Sequence, residues 1–129
     1  MRRIHLIIGL LGVVAFLLTG QIMGHHDPSM HSLSAEVRMM YVSRHIYLLG
    51  ASLVNLVLGL YFQLHPAGWR RSLQYIGSLL IALSAVSLLL AFIGEPALGL
   101  AGRSWRSYFA LIALFAGAMT HLVAGFARK

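Results

Sequence analysis

The sequence predicts an all-α, integral membrane four-helix bundle, with four transmembrane helices in up-down-up-down order. Composition is the first reason: 59% of the 129 residues are hydrophobic and 10% are charged, whereas a soluble domain carries about 25% charged residues. The second is a set of four apolar runs, each close to the ~20 residues that a helix needs to cross a bilayer core. The third is the shortness of the connections, which favours antiparallel neighbours. Residues 1–129 are therefore expected to form a single transmembrane domain.

The four predicted spans follow one another along the chain at residues 4–22, 39–63, 73–93 and 105–126. Two arginines precede the first span, as in a signal peptide, but no small-x-small cleavage site follows it, so we expect a retained span. The second span carries Arg44 and His45 within its first two turns. Pro96 ends the third span, because proline cannot donate to the helical hydrogen-bond ladder. The fourth span returns the chain to the side on which it began.

The distribution of lysine and arginine predicts the orientation. Six basic residues fall on one side of the predicted membrane (Arg2, Arg3, Arg70, Arg71, Arg128 and Lys129) and four on the other (Arg38, Arg44, Arg103 and Arg106). Because cytoplasmic loops carry the excess of positive charge, both termini are expected in the cytoplasm and the protein in the cytoplasmic (inner) membrane. The +7 net charge lies at the ends of apolar runs, so lipid headgroups, and not nucleic acid, are the expected partners of the basic residues.

Polar residues of the second span share one side of its helix. Arg38, Tyr41, Arg44, His45, Ser52 and Asn55 fall within one sector of ~120° at ~100° per residue. Lipid cannot satisfy these groups, so the sector is expected to face other helices or water. With Glu95, all of them except Arg38 are candidates for a ligand-binding pocket. We expect Arg44 to form an ion pair or to share a water network with Glu95; the alternative is that Arg44 snorkels to headgroups and Glu95 is a loop residue.

Small residues mark the inward faces of the other three helices. The predicted faces are His5, Gly9, Gly12, Phe16 and Gly20 in the first span; Gly77, Ser84, Ser87, Ala91 and Glu95 in the third; and Ala110, Ala113, Gly117, His121 and Ala124 in the fourth. Small side chains allow helices to approach closely in a membrane. These stripes predict a compact bundle.

The segment GHHDPSMH, between the first two spans, concentrates possible metal ligands. His25, His26, Asp27, Met30 and His31 offer imidazole, carboxylate and thioether donors, which suit copper or zinc. Their spacing matches no zinc-binding motif. The alternative is a solvated turn, since Asp-Pro is a turn-forming dipeptide.

Two further histidines are candidates for haem. His5 and His121 lie near the same predicted membrane surface on small-residue faces, so they could hold a b-type haem from opposite sides. The alternative is that His121 is a buried histidine bonded to a serine or threonine of a neighbouring helix.

The sequence leaves three functional hypotheses open. Cysteine is absent, which excludes disulfide-shuttling chemistry. No catalytic motif is found. The carboxylates Asp27, Glu36 and Glu95 all lie at the outer end, whereas a proton-coupled carrier needs a carboxylate deep in a span. The first hypothesis is a non-catalytic accessory, assembly or stabilising subunit of a larger membrane complex, or a homo-oligomer. The second is a protein that binds copper, zinc or haem. The third is an enzyme or transporter for a lipid or small solute, with its pocket in the polar sector of the second span.

Overall fold

The computed structural model describes residues 1–101 and 104–126, and over these residues the chain is helical, without strands. The long helices are α1 (Arg2–Gly24), α2 (Ala35–Tyr61), α3 (Trp69–Gly94) and α4 (Trp105–Gly125). Short 3₁₀ segments at 30–32 and 96–101 lie in the connections α1–α2 and α3–α4. All four helices are long and apolar enough to cross a membrane. The predicted all-α fold with four candidate transmembrane helices is confirmed.

Two helices begin about one turn earlier than the apolar runs indicate. α2 begins at Ala35, and not at 39, because the Ser34 hydroxyl caps it by accepting from the Val37 amide at 3.4 Å. α3 begins at Trp69, and not at 73, directly after Gly68, whose φ of 87° favours glycine. With 27 residues, α2 is about 40 Å long, longer than the ~30 Å hydrocarbon core. Its first turn, which carries Glu36 and Arg38, therefore extends beyond the apolar part of the helix.

Successive helices are antiparallel, as the up-down-up-down prediction requires. His5 of α1 lies against Asn55 of α2, whereas Thr19 lies against His45. We call the end where α1 begins and α4 ends the terminal end, and the opposite end the Glu95 end. Arg103, Arg128 and Lys129, which entered the orientation count, lie outside the described residues. The membrane side of each end stays a prediction.

The bundle consists of two tightly packed hairpins, α1–α2 and α3–α4, which meet through α2 and α3. α1 and α4 hardly touch each other. Glycine sets the close approach in each hairpin: a Cβ on Gly59 would lie 2.7 Å from the Leu6 backbone, and one on Gly117 would lie 2.8 Å from the Gly77 carbonyl oxygen. Small residues at these crossings act as expected for membrane helices.

The predicted inward faces are confirmed. Small and polar residues of all four stripes are buried, among them Gly9, Gly12, Ser84, Ala91, Ala110, Ala113 and Ala124. Phe16, Gly20, Ser87 and His121 are half-buried. The exception is Arg38, which is exposed in the first turn of α2. Large apolar side chains cover the outer surface instead, as at Leu17, Leu79 and Phe115, which is the reverse of a soluble protein.

Candidate functional site

The polar sector of α2 is divided between the two ends of the bundle. Ser52 and Asn55 are fully buried and Arg44 is 7% exposed, while Tyr41 and His45 are half-buried. Arg44 and Asn55 are eleven residues apart, about 16 Å along the helix axis. Ser52, between them, donates to the Leu48 carbonyl at 2.6 Å. Arg44 and Asn55 therefore bond to different partners at different levels of the bundle, and a ligand-binding pocket on this sector stays a prediction.

Arg44 forms the centre of a polar network at the Glu95 end. Its Nε lies 2.9 Å from Glu95 Oε2, its Nη1 donates to Ser43 Oγ at 2.9 Å, and its Nη2 donates to Ser104 Oγ at 2.5 Å. Each guanidinium nitrogen has a partner, and the side chains of Arg44 and Glu95 are 9% and 4% exposed. The predicted ion pair is confirmed, and Arg44 does not snorkel.

Glu95 also caps the N-terminus of α4. Its Oε1 accepts from the Ser107 backbone N–H at 3.0 Å, and the Ser107 hydroxyl donates to Oε2. Ser107 is the third residue of α4, so this amide is one that the helix itself leaves without an acceptor. Ser104, the N-cap residue, makes no side-chain cap of its own, and its hydroxyl accepts from Arg44.

The environment of Glu95 favours its charged form. Burial alone would raise the pKa of this carboxyl, but the hydrogen bonds from Ser107 and from Arg44, with the Arg44 charge, outweigh burial and hold the pKa below its ordinary value. The negative charge also lies at the positive end of the α4 dipole. Glu95 is therefore an anion that links the end of α3 to α4 and α2.

Asn55 connects three helices near the terminal end and fixes the tautomer of His5. Its Nδ2 donates to the carbonyls of Ala51, at 2.9 Å, and Ile81, at 3.4 Å, so both amide hydrogens are used. Its Oδ1 must then accept from His5 Nδ1, which lies 2.8 Å away. His5 Nε2 consequently carries a lone pair, and it is the one buried side-chain nitrogen or oxygen without a partner in the described ranges.

His121 is bonded to a neighbouring helix, as the alternative to the haem hypothesis expects. Its Nε2 lies 3.2 Å from Ser78 Oγ. The Phe62 ring packs edge-on against both His5 and His121, with centroid distances of 6.2 and 5.1 Å. A haem bound by both histidines would therefore require Phe62 to leave this position and Ser78 to release His121. As packed here, the pair does not fit that group.

His45 connects α1 to α2. The Thr19 hydroxyl donates to the Phe16 carbonyl at 2.9 Å, so His45 Nδ1, 2.8 Å from Thr19 Oγ1, is the donor of that bond. The imidazole stacks on the Phe16 ring at 4.0 Å between centroids. On the same side, Tyr41 packs edge-on against Phe92 at 5.5 Å. His45 and Tyr41 thus contribute to packing between helices.

The histidines of the α1–α2 connection are held by local bonds. His25 Nδ1 lies 3.0 Å from the Gln21 carbonyl, and His26 Nδ1 lies 2.7 Å from the Pro28 carbonyl. His26 Nε2 is 3.3 Å from the Tyr41 hydroxyl, while Asp27 and His31 are exposed and Met30 is half-buried. Among the residues that the structure describes, no three His, Asp or Glu side chains are grouped closely enough to hold a metal. Copper or zinc binding stays a prediction.

Sequence reasoning missed the hydroxyl groups that complete these contacts. Ser43, Ser104 and Ser107 contact the Arg44–Glu95 pair, and Thr19 contacts His45; for His121 a serine or threonine partner was expected, and it is Ser78. One signal was available: Ser104 directly precedes the fourth span, a position typical of an N-cap. Comparison with protein-family models, curated proteins and solved structures finds no match to this chain.

Proposed function

We propose that the chain is a non-catalytic membrane module, an accessory, assembly or stabilising subunit of a larger membrane complex or of a homo-oligomer. One observation supports this most strongly. The buried polar groups of the described residues bond to one another across helices, as in Arg44 with Glu95 and His5 with Asn55. Such bonds stabilise helix packing and leave few groups free for chemistry.

The contrast with a catalytic or transport site supports the proposal. A substrate site is a cavity on which a few free polar groups converge, and general acid–base catalysis needs a group within reach of the substrate. Arg44 has a partner at every guanidinium nitrogen and both oxygens of Glu95 accept hydrogen bonds. A ligand at this place would have to displace Glu95 or Ser104. The outer faces of the helices, by contrast, are apolar and free for contact with another transmembrane helix.

Site-specific photo-cross-linking in native membranes tests the proposal. A photoreactive amino acid replaces one exposed residue on each helix: Leu17, Ile46, Leu79 or Phe115. One helix face is expected to give a discrete protein product, while the others react with lipid. A product of twice the 14.1 kDa chain mass indicates a homo-oligomer, and a fixed larger product indicates a partner subunit that should co-purify after mild solubilisation.

Absence of a protein product from all four faces would overturn the proposal. Elemental analysis and visible absorbance of the same purified protein address the second hypothesis, because stoichiometric copper, zinc or haem would support a cofactor protein instead. Loss of a co-purifying solute or lipid in Arg44→Leu, with folding retained, would support the third.

We also propose that the protein lies in the cytoplasmic membrane with both termini in the cytoplasm, which rests on the six-to-four distribution of basic residues. A single cysteine added after Lys129 tests the orientation, since the chain contains no other. The added cysteine should resist an impermeant reagent in intact cells and react after the membrane is opened. Labelling in intact cells would reverse the orientation.

A further inference from the structure

A groove opens between α2 and α4 at the terminal end of the bundle. It encloses about 630 Å³, within the ~300–1,000 Å³ of small-molecule sites. Its walls are mostly apolar, with Leu53, Val57 and Leu58 on α2 and Leu122 and Gly125 on α4, and His121 is the polar residue of the lining. The groove exists because α4 packs closely on α3 but only slightly on α2.

The length of the groove limits what can occupy it. Along α4 it extends from Ala118 to Phe126, eight residue steps or about 12 Å, which is less than half of the ~30 Å hydrocarbon core. At the Glu95 end α2 is connected to the start of α4, because the 96–101 segment packs on α2 and Arg44 reaches Ser104. A transmembrane helix would need contact along the whole span. A single lipid chain needs only one leaflet.

The charges at the terminal end indicate which lipid fits. Arg2, Arg3, Arg70 and Arg71 lie at this end, and all three acidic side chains of the sequence lie toward the other. Clustered basic residues beside transmembrane helices attract anionic headgroups. We propose that the groove binds one acyl chain of an anionic phospholipid, whose phosphate lies among the basic residues of the terminal end.

A pair of glycine variants tests the site. A side chain added at Gly125 or at Gly50 meets nothing within 4 Å, but Gly125 lines the groove and Gly50 is exposed on α2 outside it. Gly125→Leu therefore adds an apolar side chain at the groove from a position where its Cβ has room, and Gly50→Leu is the control for adding a leucine to an exposed helix position outside the groove. Each protein is reconstituted with equal phosphatidylglycerol and phosphatidylcholine, released gently, and weighed with its retained lipid by native mass spectrometry.

The parent and Gly50→Leu should each retain one phosphatidylglycerol in preference to phosphatidylcholine. Gly125→Leu should retain roughly tenfold less, because the leucine excludes about two methylene groups of the chain. Equal retention by parent and Gly125→Leu would overturn the site, and equal retention of the two lipids would overturn the anionic headgroup. If Gly125→Leu changes only the oligomeric state or a co-purifying protein, the groove is a protein contact and the proposal fails.

A second measurement uses the unaltered protein, so that it does not depend on the folding of a variant. Phosphatidylglycerol with a photoreactive group on its acyl chain is incorporated and cross-linked, and the labelled peptides are mapped. Label should concentrate on residues 53–58 and 118–126. Label spread evenly over the exposed faces of all four helices would contradict a specific site.

Discussion

Removing the partners of the Arg44–Glu95 pair, singly and together, tests how the Glu95 end of the bundle is stabilised. The variants are Arg44→Leu, Glu95→Leu and the double substitution. We expect the free energy of unfolding to fall by about 3 kcal/mol for Arg44→Leu and by about 4 kcal/mol for Glu95→Leu, but by only about 2 kcal/mol for the double variant. The double variant is thus expected to be more stable than either single one.

These magnitudes follow from the contacts. Removing one partner of a buried ion pair costs ~3–5 kcal/mol, because the other charge is left buried and unpaired. The side chains of the pair are only 9% and 4% exposed, so the cost of a buried pair applies. We use the lower end of that range for Arg44→Leu because the pair lies at the end of the bundle. Glu95→Leu costs about 1 kcal/mol more because the Ser107 amide loses the acceptor that caps α4. In the double variant no charge is stranded, and the loss of the cap and of neutral hydrogen bonds remains.

Unfolding in mixed micelles of a mild detergent and dodecyl sulfate, followed by circular dichroism, gives the free energies. Arg38→Leu is the control, because Arg38 is an exposed arginine on the same helix and its loss should change stability by no more than ~0.5 kcal/mol. If Arg44→Leu costs no more than Arg38→Leu, or if the double variant costs the sum of the two single ones, the pair does not stabilise the bundle in the way described.

Three other predictions follow from the same contacts. The pKa of Glu95 in the folded protein lies below its ordinary value of 4.5. The stability that ionised Glu95 contributes is therefore complete above pH 4.5 and is lost as the pH falls through the folded-state pKa. The free energy of unfolding measured as a function of pH should show this loss, and the Glu95→Gln variant should not. Gly117→Ala should lower the free energy of unfolding by about 1–3 kcal/mol, because its Cβ would lie 2.7 Å from the Ile81 side chain. Gly50→Ala, in open space, should instead raise it by up to ~1 kcal/mol. Equal effects of the two variants in thermal unfolding would contradict the close packing of α3 on α4. Substituting His25, His26 and His31 together by alanine tests the metal hypothesis: copper and zinc content by elemental analysis should stay unchanged from a low parent value, and a stoichiometric metal lost in this variant would support metal binding by this segment.

The sequence predicted those features that depend on one helix at a time. A polar group in lipid is costly wherever its helix lies, so the spacing of Ser52 and Asn55 is enough to turn that side of α2 inward. The same reasoning placed Arg44 near Glu95, since both had inward faces at one membrane surface. The helix starts were less well predicted, because hydropathy ends where polar residues begin, whereas α2 continues back to Ala35 at its Ser34 cap.

Apart from the Arg44–Glu95 pair, the specific contacts between helices could not be predicted. The bond between His5 and Asn55 requires a particular rotation and axial shift of α1 against α2, and many shifts would keep both residues inside. The axial separation within the polar sector of α2 was calculable from the sequence, since residues eleven positions apart are separated by about 16 Å, and it is what places Arg44 and Asn55 in different sets of contacts.

The contacts of Arg44 and Glu95 also explain why the two ends of the bundle differ. At the Glu95 end, polar bonds join α2 to the residues that begin α4, since Arg44 reaches Ser104 and Glu95 reaches Ser107. At the terminal end, Asn55 joins α2 to α1 and α3, whereas His121 of α4 bonds to Ser78 of α3. Side-chain hydrogen bonds therefore connect α4 to α2 at the Glu95 end and to α3 at the terminal end, where the contact from the end of α2 is the Phe62 ring on His121, and the groove lies beside that contact. The proposed lipid chain in that groove would add to the few contacts between α2 and α4, so the stability of the terminal end, more than that of the Glu95 end, should depend on the lipid that surrounds the protein.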